Sequence, residues 1–96
     1  MKLTREQVYK IIDSERDYQN HLSKEKGYDD NHSTAEHLVL LRSYLNRAET
    51  AWCDNLGDDM ALEGIRKIAG IAVRCMEENG GKPRWKLKDK ENNNYE

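Results

Sequence analysis

The chain lacks any apolar run approaching the roughly 20 residues that cross a bilayer, and no export signal opens it. Both absences point to a cytoplasmic protein that does not enter a membrane. Cysteine is scarce: Cys53 and Cys75 are the only two, and they form no Cys-x-x-Cys pair. That excludes a thiolate zinc site, and two thiols inside helical patterns read as reduced core residues. No glycine loop precedes a helix, since Gly80-Gly81 follows one, so a phosphate cradle of that type is excluded. No alternating strand pattern occurs, and no serine or cysteine has a convincing partner for nucleophilic chemistry.

What remains is a helical chain rich in charge. Its 96 residues support one domain, 36% hydrophobic and 35% charged, so a monomer is marginal and self-association is expected. Residues 1–81 carry 11 Lys and Arg against 15 Asp and Glu, whereas residues 82–96 carry 5 against 3. Neither balance argues for nucleic acid as the main partner.

Three helices are predicted. Thr4 and Gln7 have capping-box spacing, and Val8, Ile11, Ile12, Tyr18 and Leu22 then recur at helical intervals until about Lys26. Ser33 and Glu36 repeat the capping spacing before a second helix, where Leu38, Leu41, Leu45, Ala48 and Trp52 form one stripe. Asn55-Leu56-Gly57 breaks that pattern, with Asp58 or Asp59 placed to cap a third helix from about Met60 to Asn79. This last helix is apolar over more than half its circumference and needs covering on two sides, by the other helices and by another subunit. Gly80-Gly81 ends it and Pro83 blocks its resumption. The expected architecture is an all-α, three-helix antiparallel bundle over residues 1–81, completed by oligomerisation and followed by a basic tail, residues 82–96.

Several polar groups carry a functional and a plain reading. His32 and His37 flank a helix start near Asp29 and Asp30, but their spacing of five does not align them as two metal ligands on one helical face; the plain reading puts His37 near Glu36. His21 has no evident partner. Lys82-Pro83-Arg84-Trp85-Lys86-Leu87-Lys88 mixes cations with an aromatic that could stack on a base, or merely solubilises a terminus. Ser43, Tyr44 and Arg47 share one side of the second helix, and Glu63, Arg66, Lys67, Gly70 and Arg74 form a polar strip on the third. That strip is either an anion-binding groove or a solvated face paired i,i+4, Glu63 with Lys67 and Arg74 with Glu78.

The order of Glu15-Arg16-x-x-Gln19, then His37-Leu38-Val39-Leu40-Leu41, then Ile65-Arg66-Lys67-Ile68-Ala69-Gly70-Ile71-Ala72-Val73 resembles the MazG-like all-α nucleoside triphosphate pyrophosphohydrolases. The resemblance covers about Glu15 to Glu78 and implies helices assembled as dimers or tetramers. It also implies a Mg²⁺ cluster, Glu-Glu-x-x-Glu on one helix and a Glu-x-x-Asp-type pair on the next, because a hard cation needs oxygen ligands to bridge substrate phosphates. Here those places fall on Ser43, Tyr44 and Arg47, and near Gly64 and Lys67. None is a carboxylate and two are cations, so metal-dependent hydrolysis is not expected and no cofactor is implied. The expected function is a non-catalytic module, a sensor or sequestering protein of phage or bacterial type, holding a nucleotide or other phosphorylated small molecule, or else a protein partner. Arg47, Lys67, Arg74 and Arg42 would meet phosphates, Tyr44 a base, and Arg16 and Gln19 would line the rim. The alternative is a pyrophosphohydrolase with an unconventional site drawn from Glu15, Asp17, Glu49 and Glu63.

Overall fold

A computed structural model describes residues 2–27 and 31–85. Asp29 and Asp30, and the tail from Lys86 onward, lie outside the described residues. Three helices are present: α1 (Arg5–Lys26), α2 (Thr34–Ala51) and α3 (Gly57–Asn79). No described residue belongs to a strand. The all-α three-helix bundle read from the sequence is what the chain forms.

The helix starts follow from local chemistry. Thr4 Oγ1 accepts from the Gln7 amide while the Gln7 side chain accepts from the Thr4 amide, and Ser33 with Glu36 does the same for α2. Each box satisfies two backbone donors that a helix leaves unpaired. Bonding to the Ser33 amide and hydroxyl holds the Glu36 carboxyl below its ordinary value. α1 stops at Gly27, whose positive φ of 70° lets its amide close on the Ser23 carbonyl.

Between α2 and α3 the structure departs from the sequence reading. The break is preceded by a π-helical turn, Trp52–Leu56, and the chain reverses at Gly57, whose φ of 82° and ψ of −178° leave the helical path before α3 runs back along α2. α3 therefore begins at Gly57, and neither aspartate caps it; Asp58 instead accepts a 3.0 Å bond from the Trp52 indole. Cys53 is exposed on this turn and Cys75 is half-buried, so only the second approaches the expected core placement.

α3 is the axis. The start of α2 lies beside the end of α3, where the His32 amide donates to Glu78 and Asn79 donates to the His32 carbonyl. The end of α2 lies near the start of α3: a Cβ built on Gly64 would stand 2.9 Å from the Ala48 Cβ, so α2 runs antiparallel and very close. α1 runs parallel to α3 in the up-down-up order, and its crossing is equally tight: a Cβ at Gly70 would come 2.7 Å from Glu15 Cγ. Both flanking helices meet α3, yet their own backbones do not meet each other among the described residues.

The way the helices turn their faces is unexpected. α1 buries Glu15, Arg16 and Ser23, while its Val8, Ile11 and Tyr18 stay exposed. Among the described residues, Ala48 is the only buried hydrophobic side chain. At about 100° per residue, the positions of α3 that meet α1 (Arg66, Gly70, Glu77) and α2 (Gly64, Glu78) are separated on one side by Glu63, Lys67 and Arg74. On the other side lies the wider apolar arc of Ala61, Leu62, Ile65, Ala69, Ala72 and Met76. The two helices clamp α3 around its polar strip and leave this arc largely open.

Candidate functional site

Two ion-pair networks join α1 to α3. Glu15 Oε1 is 2.8 Å from Arg66 Nε, and Arg66 reaches Glu63 at 2.8 Å. The remaining Glu15 oxygen accepts 3.0 Å from Gln19 Nε2. Bonds from Glu63 first, then Glu15, raise the Arg66 pKa above its ordinary value. In the second network Arg16 donates to Glu77 at 2.6 and 3.0 Å, and to Gln19 and Asn20 within α1. Arg16 and Gln19 are thus engaged in the seam between helices, one by Glu77 and the other by Glu15.

A third network locks α2 to the end of α3. Glu78 accepts from Arg74 Nε at 3.0 Å and from the His32 amide at 3.1 Å. His37, fully buried, places Nε2 3.7 Å from the same carboxylate while Nδ1 lies 3.2 Å from the Ser33 carbonyl. The His32 and His37 rings meet edge to face at 5.6 Å. Burial pushes the Glu78 carboxyl up, but the His32 amide and Arg74 guanidinium outweigh it and hold the group below its usual value. Arg74 is therefore already bound to a carboxylate, as its i,i+4 spacing foretold. The parallel expectation for Glu63 and Lys67 gives way to Glu63 with Arg66, and the partner of His37 is Glu78 and not Glu36. His21 does have a partner, pairing on the surface with Glu25 at 3.1 Å.

Arg47 and Lys67 stand differently. Neither has an acidic partner among the described residues, and each borders a cleft. The Arg47 guanidinium carbon lies 4.8 Å from the centre of the Tyr44 ring, over its face and within cation–π range. It edges an open cleft of about 390 Å³ with Asn46, Thr50, Asp54 and Leu56. Lys67 edges a separate cleft of about 400 Å³ between α1 and α3, with Ser14, Glu15, Tyr18, Glu63 and Arg66. Among the described residues, the two cations line separate clefts. Arg42 is exposed on α2.

Chemically, the Lys67 cleft offers an ammonium, a phenol and a hydroxyl around a guanidinium bound by both Glu15 and Glu63, so that two cations face two carboxylates. Those two carboxylates converge on Arg66, which occupies the space between them. Among the described residues no three His, Cys, Asp or Glu side chains gather as a metal ion would require. Sequence reasoning missed Tyr18 and Ser14 as cleft residues, since helical periodicity marked Tyr18 as core; their spacing of four on one face of α1 was the available signal. No described helix is long and apolar enough to cross a membrane. Compared with known proteins, the chain matches no family model, no curated protein and no solved structure.

Proposed function

We propose that this protein is a non-catalytic, cytoplasmic helical module that binds a phosphorylated small molecule of the nucleotide class, sensing or sequestering it without turning it over. The observation that carries this reading is how the cations are spent. Arg16, Arg66 and Arg74 sit against carboxylates at 2.6–3.0 Å, whereas Arg47 and Lys67 border concave surface with no acidic partner among the described residues. A cation not tied into an ion pair keeps its donors for phosphate, even with Glu15 and Glu63 lining the Lys67 cleft and Asp54 the Arg47 cleft, and a guanidinium within reach of a tyrosine ring can present a donor fork for bidentate contact. Tyr44 and Tyr18 supply aromatic surface for a base. The resemblance to MazG-like hydrolases supports the same assignment: Arg47 and Lys67 fall where that family would chelate magnesium, and a fixed cation neutralises phosphate without activating water.

Calorimetry against nucleoside triphosphates, cyclic oligonucleotides and ADP-ribose derivatives tests the proposal. At least one should bind, and Arg47→Ala and Lys67→Ala should each weaken it about tenfold, the effect of losing roughly 1.4 kcal/mol. Silence across the panel, or affinity untouched by both substitutions, rejects it. A second reading, a protein partner, is favoured by one specific observation, the uncovered apolar arc of α3.

A further inference from the structure

We propose that Asp54 reads the sugar of the ligand: the Arg47 cleft takes a phosphate ester of ribose, its phosphate at Arg47 and its free hydroxyls donating to Asp54. This inference rests on the phosphate-binding reading and names the part of the ligand that sets specificity.

The cleft has two charged ends. Arg47 and Asp54 both line it, with Asn46, Thr50, Ala51 and Leu56 between and around them. The two charges lie seven positions apart in the chain, two turns and roughly 10 Å of helical rise. They do not pair. The Arg47 guanidinium turns toward Tyr44, three residues nearer the start of α2, whereas Asp54 belongs to the π-helical turn beyond the end of that helix. Asp54 is exposed and has no cationic partner among the described residues.

The other carboxylates beside a candidate cation are differently placed. In the Lys67 cleft, Glu63 spends both oxygens on Arg66, and Glu15 divides its own between Arg66 and Gln19. Neither keeps an oxygen clear of an existing bond. Asp54 is the carboxylate lining these two clefts whose oxygens remain open to a ligand.

A bare carboxylate in a cleft that takes an anion repels that anion unless a neutral donor stands between them. The vicinal hydroxyls of ribose are such donors, and an acidic side chain accepting from them is a recurrent device for recognising a nucleotide's sugar. The wall between the two charges suits the rest of the ligand. Thr50 and Asn46 supply a neutral hydroxyl and amide, and Ala51 with Leu56 supplies apolar surface for a sugar ring. A ligand without hydroxyls leaves Asp54 with nothing to accept and its negative charge unanswered.

Calorimetry with the four ribonucleoside triphosphates and their 2′,3′-dideoxy counterparts tests the inference. At least one ribonucleotide should bind about tenfold more tightly than its dideoxy form, a modest ratio because the cleft is open to water. Asp54→Ala should erase that preference by weakening the ribonucleotide alone, and Arg47→Ala should weaken both forms equally. Equal affinity for the two forms, or a preference that survives Asp54→Ala, overturns the inference while leaving the phosphate reading standing. So does binding that is lost with Lys67→Ala but indifferent to Arg47→Ala, which moves the ligand to the other cleft. If no nucleotide binds at all, the phosphate reading fails and the sugar assignment falls with it.

Discussion

The seams on the two sides of α3 are built from different materials. α2 meets α3 through a close backbone approach at Ala48 and Gly64, reinforced at the far end by Glu78, Arg74 and the buried His37. α1 meets α3 through buried charge, with Glu15 and Arg16 turned inward, Ile12 and Leu22 half-buried, and Val8, Ile11 and Tyr18 exposed. Burying charge gains little net stability even when paired, but breaking such a pair is costly. The comparison teaches that α1 is placed by specificity more than by apolar adhesion. Its polar contacts fix one register on α3 while Val8, Ile11 and Tyr18 stay exposed.

The largest effect on this contrast should come from Arg66→Met, which strands the buried Glu15 carboxylate with only Gln19 as partner. A loss of about 3 kcal/mol in urea denaturation is expected, partly restored by adding Glu15→Gln. Next come the two glycines. A methyl at Gly64 meets Ala48, and one at Gly70 meets Glu15 Cγ at 2.7 Å and Gln19 Nε2 at 2.8 Å. Each alanine should cost about 2 kcal/mol despite the helix propensity gained. Gly64→Ala should loosen α2 and Gly70→Ala should loosen α1, resolvable by amide exchange.

Acid should attack the α2 seam at Glu78. Its folded pKa lies below the ordinary value of 4.5, so the stabilisation it provides is fully present above that value and fades as pH falls through the folded pKa. Glu78→Gln should cost about 1.5 kcal/mol near neutral pH and flatten the acid limb of the stability profile. The smallest effect is expected at the helix starts, where Thr4→Ala or Ser33→Ala removes a cap for about 1 kcal/mol, measured by thermal melts.

The helices themselves were legible because their signals are local. Thr4 with Gln7 and Ser33 with Glu36 act three residues apart, and Arg74 finds Glu78 within one turn. What could not be read is what depends on the crossing of helices. Glu15 reaches Arg66 across 51 positions and Arg16 reaches Glu77 across 61, so Arg66 engages Glu63 and Glu15 together while Lys67 is left facing solvent. The inward turn of α1 was hidden for a related reason. Its apolar periodicity argues for burying Val8, Ile11 and Tyr18, and only the missing side chain at Gly70 admits the Glu15 stem instead. The π-helical turn escaped notice because Asn55-Leu56-Gly57 carries ordinary breaker residues. For the candidate site, residue types and spacing put Arg47 and Tyr44 on one side of α2, but could not show that the two meet each other or that Lys67 lies in a different cleft.

The central claim is that cations on this bundle hold phosphate without priming water to attack it. The most direct measurement is the fate of a bound nucleotide kept with stoichiometric protein and Mg²⁺ or Mn²⁺, then released by heat and quantified. The account predicts recovery of the intact nucleotide with no pyrophosphate formed. Pyrophosphate accumulating in proportion to protein and time would contradict it.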